Sequence, residues 1–149
     1  NMKAVLQRAA RAKVIANGEA TGEIGAGLAV LLGVQRGDTL NDVNYICTKI
    51  ERLRIFPDEN GVMNKSLSDL GLAVLIVSQF TLCADARKGC RPSYSEAAPR
   101  EEAEPLYLAA VKRLRDSGIA VSTGCFGADM QFEIVNDGPV TILLNSRQE

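Results

Sequence analysis

No histidine occurs anywhere in the chain, which removes the side chain whose ordinary pKa suits proton transfer near neutrality. Ser-His-Asp and Cys-His arrangements are therefore excluded, together with every metal site that relies on imidazole. Hydrolytic chemistry in this chain must draw on hydroxyls, carboxylates, lysine, backbone groups or the substrate itself. Cysteine is sparse and scattered: Cys47, Cys83, Cys90 and Cys125 form no CxxC pair, so they read as reduced thiols and imply neither a metal nor another cofactor. Cys90 alone sits among basic residues. Long apolar runs are missing too, since none reaches the roughly 18 residues that span a bilayer. Asn1-Met2-Lys3-Ala4-Val5 passes into an alternating pattern without an apolar leader, with Asn1 reading as an added residue, and a cytoplasmic location is expected.

An excess of positive charge is also absent. The net charge of −1 and pI near 5.6 lack the basic footprint that phosphate contacts normally leave. Two local groups stand against that balance: Arg87, Lys88 and Arg91, and Arg8, Arg11 and Lys13. Each is large enough for a small RNA contact, and each also reads as a solvated face.

What is present is enough apolar material, 46% of 149 residues, for one compact domain, placed over 2–146. Met2 to Arg8 and Ala12 to Ile15 read as strands, and Asn17-Gly18 turns the chain into Ala20 to Ile24 as a hairpin. Gly27 to Val34 is nearly continuous apolar sequence bounded by glycine, the pattern of a central strand covered on both faces. Thr39 followed by Asp42 predicts a helix start, with Val43, Ile46, Cys47, Ile50 and Leu53 at helical spacing. Leu72 to Val77 reads as another buried strand and delivers Ser78-Gln79-Phe80-Thr81 at its end. A polar loop over 84–99 precedes a second helix that starts after Pro99 and ends near Gly118. Ile119 to Thr123, Gln131 to Val135 and Val140 to Leu144 complete the strands, the last two separated by Asn136-Asp137-Gly138-Pro139.

Three segments are richer in small polar, glycine and proline residues than structure alone requires: 78–82, 126–131 and 136–141. Taken singly each has a structural reading. A strand-end serine or threonine caps backbone groups, Phe126 and Met130 serve as core, and 136–139 is a plain turn. Taken together and in order, Ser78-Gln79-Phe80-Thr81-Leu82, Lys88-Gly89 with Arg91-Pro92-Ser93, Phe126-Gly127-Ala128-Asp129-Met130 and Asn136-Asp137-Gly138-Pro139-Val140-Thr141 resemble the D-aminoacyl-tRNA deacylases. Val5-Leu6-Gln7-Arg8, Gly22-Glu23-Ile24-Gly25, Leu53-Arg54-Ile55-Phe56 and Met63-Asn64 extend the likeness over nearly the whole chain. Lys13, Cys83 and Cys90 depart from the family pattern, and none falls on those motif positions.

The resemblance implies an α+β fold, a single domain with a mainly antiparallel, barrel-like sheet and two amphipathic helices. It implies hydrolysis of the ester of D-aminoacyl-tRNA, and of glycine misattached to tRNA, by a homodimer with active sites at the subunit interface. tRNA is the partner, with no DNA, membrane, metal or cofactor involved. Ser78, Gln79, Phe80 and Thr81 of one subunit, with Gly138 and Pro139 of the other, are the expected catalytic residues. Arg8, Phe80, Phe126, Ala128, Met130 and Asn136 are the expected substrate contacts, Arg8 fixing Gly138-Pro139 from beneath. The Gly-Pro bond is expected to be cis, its carbonyls facing the α-ammonium and crowding the side of Cα where an L side chain would lie. Backbone amides of Gln79, Phe80 and Thr81 are expected to hold the oxyanion. Two nucleophiles stay open: Thr81 itself, or water activated by the 2′-hydroxyl of the terminal ribose. Two other functions also remain, a non-catalytic RNA-binding module of the same fold and a threonine-nucleophile hydrolase of small esters or amides.

Overall fold

A computed structural model describes residues 1–147. Its framework is a six-stranded sheet in the order β2 (Glu19–Ile24), β1 (Lys3–Ala16), β3 (Gly27–Gly33), β6 (Ala73–Ser78), β7 (Val121–Thr123), with β8 (Met130–Asn145) paired to the other side of β1. Strand β1 runs antiparallel to β2, β3 and β8, whereas β3, β6 and β7 are mutually parallel. Parallel neighbours need long crossovers, and the two long helices supply them. α1 (Leu40–Arg52) lies between β3 and β6 in the chain, and α3 (Arg100–Asp116) between β6 and β7. The sheet curls nearly shut, so that Ser122 Oγ of β7 donates to the Glu23 carbonyl of β2 at 3.3 Å. A Cβ on Gly22 would lie 2.4 Å from the Thr123 carbonyl oxygen, so only glycine allows that approach.

The central strands are buried on both faces, as their unbroken apolar sequence predicts. Leu28, Val30, Val74 and Ile76 pack with Ile46, Ile50, Val111 and Leu114 of the helices in the larger core. Ala29, Leu75 and Val77 point the other way and join Ala9, Ala12, Val14 and Ile24 in a second core inside the curled sheet. Arg113 ties the helices together, donating to Asn44 Oδ1 at 3.1 Å and lying 3.7 Å from the Glu51 carboxylate.

Four expectations need correction. The two strands read over 2–15 are one strand. Its buried positions, Ala4 and Leu6, then Ala9, then Ala12, Val14 and Ala16, slip phase twice, and bulges at Gln7/Ala9 and Ala9/Arg11 absorb both slips. The strands read over 131–135 and 140–144 are likewise one, and the intervening segment does not reverse the chain. Gln7 pairs with Thr141 and Ala9 with Asn136, so residues 137–140 bulge from the ladder opposite Arg8 alone. A third helix exists: α2 (Leu67–Leu70) is a single turn too short to show periodicity, held by a Ser66/Asp69 capping box and a left-handed Gly71. The loop after α1 also holds a small hairpin, β4 (Phe56–Pro57) with β5 (Met63–Lys65).

Candidate active site

Strand β6 ends in register with β3, Ser78 beside Leu32. The Gln79 N–H then donates to the Leu32 carbonyl at 2.8 Å, and the chain leaves the sheet through a 3-10 turn, Phe80–Cys83. Carboxyl ends of parallel strands are where open α/β sheets offer room for ligands, and a cleft of about 460 Å³ opens there. Ser78, Gln79 and Phe80 form one wall, the loop from Phe126 to Met130 the other, with Leu31, Val34 and Val77 behind. Phe80 leaves 55% of its surface exposed and meets the Tyr94 ring edge-on at 5.3 Å, so a flat aromatic face stands at the mouth.

The loop wall is held from inside. Buried Tyr107 of α3 donates its hydroxyl to the Ile76 carbonyl of β6 at 2.8 Å, and its ring meets Phe126 at 5.7 Å. Burial pushes the Tyr107 phenol up to about 12, against the opposing charge of Arg115, so the hydroxyl keeps its proton and its role as donor. Of the expected site residues, Ser78, Gln79, Phe80, Phe126, Ala128 and Met130 line this one cleft. Thr81 does not. It stands exposed on the 3-10 turn, its Oγ1 accepting a hydrogen bond from Gln79 Nε2.

Arg8, Asn136, Gly138 and Pro139 lie apart from the cleft of their own chain, the last three on or at the base of the β8 bulge and Arg8 opposite it on β1. Arg8 is turned inward there. Its Nη1 donates to the Ile55 carbonyl at 2.8 Å and its Nε to the Asp137 carbonyl at 3.1 Å. Asn136 spans the base of the bulge, donating to Thr141 Oγ1 at 3.0 Å and accepting from the Val140 N–H at 3.2 Å. Gly138 has φ +126°, and a Cβ on it would lie 2.9 Å from Arg8 Nη2 and 2.9 Å from Val140 Cγ2. The Gly138–Pro139 bond is cis.

One expected donor is lost. The Gln79 amide is spent on Leu32 as the last ladder bond of β6, leaving Phe80 and Thr81, whose N–H groups begin the 3-10 turn and have no partner inside it. Arg100, Ala98, Ala103 and Phe132 also line the cleft, though nothing in the sequence pattern marks them. Arg100 reads there only as the first residue of a helix. All four cysteines are free thiols, and burial raises Cys47 to about 12 despite the charge of Arg113. Among the described residues no three Cys, Asp or Glu side chains group closely enough to hold a metal ion, and no helix is long and apolar enough to cross a membrane.

A nearly closed α+β sheet with a cleft at the carboxyl end of its parallel strands, lined by hydroxyl, amide and aromatic side chains, defines the class of protein to which this chain belongs. Within it, the family model described as D-Tyr-tRNA(Tyr) deacylase matches residues 5–145. The chain belongs to that family, whose name is that of a hydrolase of aminoacyl-tRNA esters. It is 58% identical over 146 residues to the D-aminoacyl-tRNA deacylase of Dehalococcoides mccartyi, covering 98% of this chain and 95% of the relative. The protein of the same name in Anaeromyxobacter dehalogenans is 55% identical, covering 99% of each. Among solved structures, the c-Myc DNA Unwinding Element Binding Protein superposes with TM-score 0.92 at 43% identity, over 98% of this chain and 99% of that one. A probable eukaryotic D-amino acid tRNA deacylase gives TM-score 0.81 at 17% identity, over 96% and 98%, which speaks to the fold alone.

Proposed function

We propose that this protein hydrolyses the ester linking a D-amino acid to the 3′ end of tRNA and spares the L ester. The observation that carries the reading is the cleft itself. The Ser78-Gln79-Phe80 and Phe126-to-Met130 segments by which the chain resembles the family face each other across one opening. Exposed Phe80 offers a stacking face for the terminal adenine, as single-stranded RNA ends commonly find. The amides of Phe80 and Thr81 supply donors for the oxyanion as the ester carbon becomes tetrahedral.

Selectivity resides, in this reading, in a second copy of the chain. Its Gly138-Pro139 bulge closes the cleft, its carbonyls hold the α-ammonium, and the backbone occupies the space an L side chain would need. A D side chain points outward and glycine has none, so both pass. Rejection of one hand, with no pocket shaped to a particular side chain, gives the breadth that proofreading needs. Strand β8 supports a homodimer. Among the described residues it pairs only with β1, and its outer face shows Val135 and Leu143 at 41% and 72% exposure. A protein acting on tRNA is placed in the cytoplasm.

Water is the nucleophile we favour. Thr81 Oγ1 is engaged as an acceptor by Gln79, and the chain has no histidine to take a proton from an alcohol. The 2′-hydroxyl of the terminal ribose is then the nearest group able to assist the water, and Ser78 and Thr81 position it. The test is release of D-tyrosine, L-tyrosine and glycine from their tRNA esters by the purified protein, with Thr81→Ala alongside. The D and glycyl esters should be cleaved at least about a hundredfold faster than the L ester, and the variant should keep turnover without an acyl-enzyme. No release of any ester would sink the enzyme reading and leave an RNA-binding module. An acyl group trapped on Thr81 would establish the threonine nucleophile.

A further inference from the structure

Two charged side chains, Arg100 and Asp129, are among those lining the cleft, and among the described residues Arg100 is its one cation. It is held in place from below. Its guanidinium carbon lies 5.3 Å from the centre of the Phe126 ring, the ring that Tyr107 supports. Glu104, one helical turn on, accepts from Nε at 3.3 Å. Among the described residues neither Nη group has a hydrogen-bond partner. The arrangement engages Nε with the carboxylate and sets the guanidinium over the Phe126 ring, leaving both Nη groups for a ligand. Planar donors of this kind bind phosphate through paired hydrogen bonds, and stacked arginine loses less freedom in doing so than lysine would.

We propose that Arg100 binds the 5′-phosphate of the nucleotide whose base and aminoacyl ester occupy the cleft. The inference rests on the reading of the cleft as the seat of the terminal aminoacyl-adenosine. That nucleoside carries one anionic group, the phosphodiester joining it to the rest of the RNA, so the cation on the rim is matched to the one anion that enters. Arg100 anchors the substrate and takes no part in bond breaking. Glu104 competes for the same guanidinium, so removing its charge should strengthen the contact, a response that a merely structural arginine would not give.

The test compares adenosine 5′-monophosphate with adenosine as ligands of the purified protein by titration calorimetry, in the unaltered chain and in Arg100→Ala, Arg100→Lys and Glu104→Gln. Because the side chain is largely exposed, the monophosphate should bind about five- to tenfold more tightly than adenosine. Arg100→Ala should abolish that preference without altering adenosine affinity, Arg100→Lys should keep part of it, and Glu104→Gln should enlarge it. Equal affinity for the two ligands in the unaltered chain, or a preference that survives Arg100→Ala, would overturn the assignment. A preference that depends on Arg100 in a protein that leaves D-tyrosyl-tRNA intact would support the phosphate site while sinking the deacylase reading, which keeps the two failures apart.

Discussion

Asp42 joins two parts of the chain through one carboxylate. It accepts from the Thr39 N–H at 2.8 Å, closing the capping box at the start of α1, from Ser146 Oγ at 2.6 Å, and from Arg147 Nε and Nη2 at 3.1 and 2.9 Å. The last two partners lie just beyond β8, so the helix start and the strand end share an anchor. Burial alone would raise this carboxyl, but the hydrogen bonds from Arg147, Ser146 and Thr39 and the Arg147 charge outweigh it and hold the group well below the usual carboxylate range. A carboxyl depressed in the folded state contributes stability that is present above its unfolded value of about 3.9 and is lost as pH falls through the folded one. Asp42→Asn should therefore destabilise the protein by about 2–3 kcal/mol at pH 7. The gap between variant and parent should narrow as pH drops below about 4. Denaturant melts at pH 7 and pH 3 check this, and a gap independent of pH would show that the charge is not what Asp42 contributes.

At the scale of elements, the 3-10 turn after β6 depends on a glycine in a neighbouring strand. A Cβ on Gly33 would stand 2.9 Å from Leu82 Cβ and 3.0 Å from the Gln79 carbonyl oxygen, so any side chain there pushes the turn that carries Phe80 and Thr81 outward. Gly33→Ala should cost about 1–3 kcal/mol of stability and slow D-ester cleavage on the order of tenfold to a hundredfold, since small displacements of positioning groups are expensive. Melting and single-turnover rates of the same sample separate the two effects. An unchanged rate would mean that the turn does not set the geometry of the reaction.

The same elements show what a sequence makes legible. The capping box at Thr39 and Asp42 and the doubly buried β3 and β6 are local patterns, readable because a few neighbouring residues determine them. β1 and β8 each read as two strands because the signal for a strand is strict alternation, and bulges break alternation without ending the strand. The two walls of the cleft lie some fifty positions apart and are brought together by the parallel pairing of β6 with β7 and by Tyr107 between Ile76 and Phe126, which no spacing records. Their place in one site came from family resemblance. Arg8 could not be told apart from Arg11 and Lys13 by composition, yet it turns inward to hold Ile55 and Asp137. Arg100 was hidden by its other role as a helix start.

For the whole molecule, the decisive feature is that one chain holds the two halves of the proposed site apart. Gly138 and Pro139 sit on the bulge of β8, pinned by Arg8 and Asn136, and do not line the cleft of their own chain. A second copy related by two-fold symmetry would place each bulge against the other's cleft in equivalent contacts. Two damaged chains can then repair each other. Phe80→Ala removes the exposed face of the cleft, and Gly138→Ala forces a Cβ against Arg8 and Val140 at a backbone angle that suits glycine. Each variant alone should lose most D-tyrosyl-tRNA cleavage. In a mixed dimer one site combines both lesions and the other combines an intact cleft with an intact bulge. Random exchange of equal amounts should therefore restore roughly a quarter of the parental sites. A site completed within one chain would regain nothing on mixing, even when mass measurements show that mixed dimers have formed, and a protein that sediments as a monomer while cleaving at full rate would remove the partner from the reaction altogether.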